Sequence, residues 1–425
     1  MSHTHVIGAG LAGLAAALTL TAAGRAVTVH ESGPAAGGRC RSYLDKELGL
    51  RIDNGNHLLL SGNDAAMAYI REIGGTGRFN VPRHAVFPFL DVRTREEWVI
   101  RPNAGRLPWW VLVPWRRVPR TRLLDYLRLR RLLSARGDIS VADAMRRGWL
   151  YWRLVEPLAV AALNTRPQHG LARLLGEVMR ETLLRGGRAC VPWLPKEGLS
   201  EALVDPAVAT LTGRGATVRF NHRIAALRLD AGKVVALRGP DGETPVAPED
   251  SVLLAVPPWV AANLLPGLAV PDAFEAILNI HFAAVPAPDT PIMDHGFIGL
   301  TSGVAEWVFA KRDHVSVTIS AANHMVDDDA SAIAAHVWPN VKLAMGQALA
   351  AYQAEDDMPP WRVVKEKRAT FAATARQAAL RPEPGRLPHA ANLAVAGDWT
   401  DTGLPATIEG AIRSGRLAAE ALLKS

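Results

Sequence analysis

The chain has 425 residues, 49% of them hydrophobic, which is enough for two domains with separate cores. Its two cysteines, Cys40 and Cys190, exclude a disulfide-held scaffold and suit a reducing compartment, either the cytosol or the cytosolic face of a membrane. The net charge of +7 is local: Arg101 to Arg136 carries ten arginines against one acid, Asp125, and the rest is slightly acidic.

His5-Val6-Ile7 reads as a short buried strand, Leu11 to Ala23 as a helix stopped by Gly24, and Ala26 to His30 as a second strand. Gly8-x-Gly10-x-x-Gly13 therefore falls at a strand-to-helix turn, where such glycines serve a dinucleotide. Gly8 makes the turn, Gly10 lets backbone approach a pyrophosphate, and Gly13 lets helix and strand pack closely. The helix N-terminus offers free N–H groups to the phosphates. Glu31 ends the second strand, where its carboxylate accepts ribose hydroxyls and repels a 2′-phosphate, so an NADP site is excluded there. Gly37-Gly38-Arg39-x-Arg41-Ser42 adds a second phosphate-facing turn with bidentate cations, which points to FAD. The uncharged run Val6 to Gly24 also has the hydropathy of a signal peptide or membrane span. Its glycines and the lack of a basic segment ahead of it favour the phosphate loop.

Further along, Arg106-Leu107-Pro108-Trp109-Trp110-Val111-Leu112-Val113-Pro114-Trp115-Arg116-Arg117 sets tryptophans and aliphatics between arginines, and a Leu/Arg alternation follows to Leu133. The run is too short to span a bilayer. Trp109, Trp110, Trp115, Arg116 and Arg117 read as a monotopic contact with an anionic leaflet. A basic helix covering the second domain with its tryptophans buried is the alternative. No nucleic-acid fold signature accompanies these arginines, so nucleic acid is not an expected partner.

Met145 to Leu163 reads as helical pieces broken at Pro157, and Leu171 to Leu184 as a helix. Cys190 to Leu199 reads as a loop, Ala216 to Phe220 as a strand, and Ile224–Leu229 with Lys233–Arg238 as a hairpin. Ser251 to Val256 is expected to be a buried parallel strand, followed by a helix at Val260 to Leu265. Glu306–Ala310 and Val315–Ala321 read as paired strands, and Ser331 to Asp356 as a long helix kinked near Pro339. Asp327-Asp328-Asp329 fits a helix start better than a metal, and no metal site is expected. Asn392 to Trp399 is a strand ending in Gly397-Asp398, and a helix begins near Ala406-Thr407-Ile408. Asp398 suits a ribityl hydroxyl, and that helix N-terminus suits the flavin O2 edge, where charge develops on reduction.

The Gly8-x-Gly10-x-x-Gly13 loop, Glu31, Gly37-Gly38-Arg39, Asp53-x-Gly55 and Gly397-Asp398 resemble, in order, the flavin amine oxidase and phytoene desaturase superfamily. Asp53-Asn54-Gly55-Asn56-His57-Leu58-Leu59-Leu60, Lys365 to Phe371 and Ala396 to Ala411 resemble the hydroxysqualene dehydroxylases, the squalene-associated FAD enzymes of bacterial hopanoid biosynthesis. Asn56 departs from the glutamine expected there. The resemblance covers both ends strongly and the middle weakly.

The resemblance implies an α/β fold with a discontinuous Rossmann-like FAD-binding domain (1–74, 196–264, 388–425). An α+β, amine-oxidase-like substrate domain (75–195, 265–387) lies over the flavin. It adds Ser32, Asn54, Gly55 and Ile224 to the cofactor set. It implies loss of the central hydroxyl of a C30 polyprenyl alcohol and its replacement by hydride from reduced flavin N5, giving squalene. His57 is the expected proton donor, with Glu409 and Asp401 as further candidates. Only one dinucleotide fingerprint is present, so electrons are expected from NADPH bound transiently or from a separate reductase. The implied setting is cytoplasmic, peripheral to the inner membrane, with hand-off from a squalene-pathway synthase. The alternatives are an amine oxidase or carotenoid desaturase of the same superfamily, and a non-catalytic flavin-binding membrane adaptor.

Overall fold

The computed structural model describes residues 2–352, 358–388 and 390–424. Its first layer is a six-stranded sheet in the order Thr217–Arg219, Ala26–His30, His3–Ile7, Ser251–Leu254, Ala390–Val395, Gly385–Leu387. The first five strands are parallel. Parallel strands are covered on both faces, which is why they read as continuous apolar runs. Alternation along each strand sorts the side chains. Val6, Val29 and Leu253 face the helices Leu11–Ala22, Asp205–Gly213 and Ile408–Leu423. Ile7, Val252 and Leu254 face a three-stranded meander, Ala226–Asp230, Lys233–Gly239 and Gly242–Pro245. The edge strand Gly385–Leu387, read from sequence as part of the substrate domain, hydrogen-bonds antiparallel to Ala390–Val395 and belongs to this sheet.

The first and last helices cross where a Cβ on Gly415 would lie 2.0 Å from the Ala12 carbonyl oxygen. Only glycine permits that approach, and it places the C-terminal helix beside the glycine loop.

The second layer is a seven-stranded sheet in the order Trp361–Phe371, Phe274–Phe282, Val315–Ile319, Trp307–Ala310, Phe297–Thr301, Phe87–Asp91, Glu97–Ile100. One face, with Leu278, Ile280, Phe282 and Val317, packs on the helix Ala330–Met345. The opposite alternation set, Asn279, His281, Ser316 and Thr318, meets the turn after Asp53. A third core gathers helices between Trp109 and Glu181 around Tyr151, Leu154 and Leu175.

Four elements differ from the sequence reading. Pro157 does not break its helix: residues Tyr151–Val155 form a π-turn that runs directly into Glu156–Leu163, absorbing the missing N–H. Pro192–Pro195 is a strand, not loop, because it finds partners in Leu59–Leu60 and Phe79–Asn80. The helix expected to reach Asp356 runs through Pro339 and ends at Met345, where Gly346 takes φ +48°; residues 353–356 of that expectation lie outside the described residues. Trp110 is not a membrane contact. It is 3% exposed and meets Tyr126 edge-on at 5.7 Å, whereas Trp109 and Trp115 are 49% and 86% exposed. A single 3-10 turn, Trp109–Leu112, sends its neighbouring tryptophans in opposite directions. Among the described residues no helix is long and apolar enough to cross a membrane.

Candidate active site

The glycine loop is built by backbone contact. Gly8 takes φ +105°, and a Cβ there would lie 2.4 Å from the Ala255 oxygen. A Cβ on Gly13 would lie 1.9 Å from the Gly8 oxygen, whereas one on Gly10 would meet nothing within 4 Å. The first and third glycines therefore close the turn, and the second leaves an open side. The helix that follows has no side-chain N-cap, so its first N–H groups are available to an anion. The second glycine turn docks on the first through Gly37 N–H to the Ala9 carbonyl at 2.8 Å. Glu31 accepts the Ala9 N–H at 2.9 Å, the Gly33 N–H at 2.8 Å and the Ser32 hydroxyl at 3.3 Å. These bonds aim its carboxylate, whose remaining lone pairs suit ribose hydroxyls. Asn221 and His222 donate backbone N–H groups to the Gly33 and Glu31 carbonyls, drawing the chain toward Ile224 alongside. The Ile224 side chain itself is buried beneath the meander.

The two ends of the chain meet at Arg39, which donates to Asp398 at 2.6 Å and to the Ala369 carbonyl. Burial opposes the guanidinium charge, but Asp398 outweighs it and holds the Arg39 pKa above its usual value. Thr407 caps the last helix by accepting the Gly410 N–H at 3.0 Å, with Ala406 before it and Ile408 as its first residue. The open side of Gly10, the uncapped helix, the aimed Glu31 carboxylate and the Asp398 carboxylate fit the pyrophosphate, ribose and ribityl groups of FAD.

The turn after Asp53 forms the boundary between the two sheets. Asp53 accepts the Ser42 hydroxyl at 2.6 Å, the Leu199 N–H at 2.9 Å and the Lys311 ammonium at 2.6 Å. Burial works against the Asp53 carboxylate, yet Lys311 and these hydrogen bonds hold its pKa below the usual range. Asn54 donates to Glu366 at 3.3 Å. At Gly55 a Cβ would crowd Asn279 at 3.2 Å. Asn56 donates to Ser316 at 2.7 Å and Thr318 at 3.1 Å, Thr318 donates to Asn279 at 2.9 Å, and Ser316 lies 3.0 Å from His281 Nδ1. Asn56 Oδ1 and His281 Nε2 are buried and have no partner among the described residues.

His57 is half-buried and makes no hydrogen bond to another described residue. Burial pushes its pKa down to about 4, with Asp53 pulling up and Arg39 pushing down. The ring therefore favours its neutral form, which keeps one N–H to give. Glu409 is spent elsewhere. It accepts the Ala65 and Ala66 N–H groups at 3.0 and 2.8 Å, capping the helix Asp64–Glu72, and pairs with Arg413 at 2.8 Å. Asp401 accepts the Gly403 N–H at 3.2 Å and lies 3.5 Å from Arg381.

Burial also raises the pKa of a carboxyl that the sequence reading passed over. Burial raises the pKa of Glu306 to about 7, against the opposing Ser320 hydrogen bond at 2.8 Å. Its backbone N–H donates to the Thr318 carbonyl at 3.3 Å, so it adjoins the Asn56–Thr318 network. The available signal was its position as the one acid between Asp294 and Asp313, beside an apolar strand. Lys311, at the other end of that strand, was likewise missed.

The profile of the flavin containing amine oxidoreductases matches residues 11–286 and 310–423. The chain is 48% identical to a hydroxysqualene dehydroxylase of Rhodopseudomonas palustris, over 100% of this chain and 99% of that protein. It is 46% identical to one of Sinorhizobium fredii over 99% and 98%. An oxidoreductase from Methanosarcina mazei superposes with a TM-score of 0.71 at 16% identity, covering 100% of both chains, which bears on the fold alone. The cradle above and these full-length likenesses agree: the chain is an FAD-dependent oxidoreductase that belongs to the flavin containing amine oxidoreductases and, within them, to the hydroxysqualene dehydroxylase family.

Proposed function

We propose that this chain converts hydroxysqualene, or a closely similar C30 polyprenyl alcohol, to squalene. The full-length similarity to a hydroxysqualene dehydroxylase carries this reading. In the reaction the C–O bond breaks, the hydroxyl takes a proton and leaves as water, and hydride joins the vacated carbon. Reduced FAD, when bound, supplies the hydride, and an outside reductant, a nicotinamide or a separate reductase, restores it. The chain supplies the proton. Hydroxide is a poor leaving group, and a carboxyl poised near pH 7 is an effective donor to it. Glu306 holds its proton near neutrality because burial disfavours the carboxylate. Beside it, Trp307 meets Phe89 edge-on at 5.5 Å, and Phe89 stacks on Trp98 at 5.5 Å, both of them buried. This apolar packing keeps water from the Glu306 side of the strand.

Anaerobic mixing of the reduced protein with hydroxysqualene tests the activity, with squalene read by mass. Failure of squalene to form with FAD bound refutes the reading. Glu306→Gln is expected to slow that single turnover by about 100-fold or more while retaining FAD. An unchanged rate removes Glu306 as the donor.

The same reading gives the segment after Arg106 a task, that of drawing the lipid from a membrane surface on the cytosolic side. Among the described residues, seven of the eighteen exposed large hydrophobic side chains, Trp109, Trp115 and five leucines, fall between Leu107 and Leu127. Arg116 lies over the Trp109 ring at 4.7 Å, and Arg117 is half-buried next to it. Exposed indole and leucine beside arginine suit an anionic leaflet. Flotation with phosphatidylglycerol vesicles at low salt tests it. Absence of binding there, with activity on detergent-dispersed substrate intact, sinks the membrane contact and leaves the reaction standing.

A further inference from the structure

We propose that His3, His5 and Asp250 bind a divalent transition-metal ion of the zinc class, at the end of the Rossmann sheet opposite the glycine loop. His3 and His5 lie two residues apart on one strand, so their side chains emerge on the same face. Asp250 immediately precedes the neighbouring parallel strand, whose first residue, Ser251, pairs with Thr4. The His3 N–H donates to Asp250 Oδ1 at 2.7 Å and fixes the carboxylate across the strand pair. Each of the three side chains offers one ligand atom, and these atoms lie within 4.8 Å of one another.

The imidazoles behind His5 supply the second, independent observation. His5 Nδ1 lies 3.1 Å from His30 Nε2, and His30 Nδ1 lies 3.1 Å from His222 Nδ1. His222 Nε2 lies 3.5 Å from the exposed Asp241 carboxylate. A neutral imidazole has one N–H to give, and Asp241 only accepts. With the His222 proton on Nε2, the side nearer Asp241, its Nδ1 accepts from His30 Nδ1–H. His30 Nε2 in turn accepts from His5 Nδ1–H. In that arrangement His5 Nδ1 is the donor and its Nε2 keeps a lone pair for an ion. This is the outer-shell arrangement that orients a metal-ligating histidine. The Thr28 hydroxyl holds His3 Nε2 at 3.0 Å and leaves Nδ1 uncommitted. Two imidazole nitrogens and a carboxylate, with His3 and Asp250 half-buried, suit Zn²⁺ completed by water. The ion would clip the first strand to the one starting at Ser251, with no part in the flavin reaction.

Calorimetric titration of the untagged, FAD-loaded protein with Zn²⁺ tests the site, and Co²⁺ absorption reads its geometry. One saturable equivalent is expected, with visible bands of four-coordinate Co²⁺. His3→Ala and Asp250→Asn, at half-exposed positions, are expected to weaken it at least tenfold. Asp241→Ala, which touches no ligand, is expected to weaken it about tenfold by releasing the tautomers. His5→Gln should abolish it, and if that variant fails to fold the other three decide. The absence of a saturable equivalent, or equal binding by the wild type, His3→Ala and Asp250→Asn, overturns the proposal.

Discussion

The cofactor cradle and the polar surface facing it are made from different materials. The cradle is largely backbone: Gly8, Gly13 and Gly37 let peptide groups approach one another, and uncapped N–H groups are left for the phosphates. The facing surface is side chain: Asn279, His281, Ser316 and Thr318 from two strands meet the turn at Asn56, and Lys311 and Glu306, at the ends of a third, bond Asp53 and the Ser320 N–H. A backbone device tolerates almost no added volume. A side-chain device tolerates volume but depends on protonation.

The largest test of that contrast is Gly13→Val. Its Cβ has no room beside the Gly8 oxygen, so the protein is expected to purify without flavin absorbance, at under about a tenth of the normal FAD content. Gly10→Ala adds a methyl to open space, so it is expected to keep its melting temperature while weakening FAD binding about tenfold. Equal FAD affinity in Gly10→Ala would mean that the open side does not face the phosphates.

Protonation tests the other half. The His281 pKa is pushed down to about 3, first by burial and then by His314 and Lys311. Below its usual pKa near 6.5 the unfolded chain takes a proton that the folded protein refuses. Stability therefore falls as pH drops from about 6.5 toward 3, by up to roughly 1.4 kcal/mol per unit for this group. His281→Asn is expected to flatten that decline in melting temperature. Glu306 has the opposite sign. With its folded pKa raised to about 7, it keeps a proton that the unfolded chain has lost, so its contribution grows as pH falls from 7 toward 4.5. Glu306→Gln should accordingly gain stability at pH 8 relative to pH 5. Parallel curves for wild type and either variant would remove the corresponding assignment.

A further contrast separates two tryptophans that look alike in sequence. Trp110→Ala is expected to cost about 3–5 kcal/mol, because a buried ring leaves a cavity. Trp115→Ala should cost under about 0.5 kcal/mol and instead weaken vesicle binding. Equal destabilisation would mean that Trp115 packs as Trp110 does.

The Rossmann elements were legible because each depends on neighbours in sequence. His3–Ile7, Leu11–Ala22 and Ala26–His30 follow from local apolar pattern, and the glycine spacing is itself the geometry. Pro192–Pro195 was not legible, since its strand character comes from Leu59–Leu60 and Phe79–Asn80, far away in the chain. His57 was legible as a residue of the turn after Asp53, but its burial was not. Its protonation state is set by burial, a property of the assembled fold.

The sequence alone determined that the chain binds FAD and how its two ends share that work, because glycine freedom, strand alternation and helix starts act over a few residues. Only the tertiary structure decided which carboxyl is raised by burial, which lysine holds Asp53 and which tryptophan faces outward. Those properties depend on solvent exclusion and on distances between segments that become neighbours only when the two sheets close on each other.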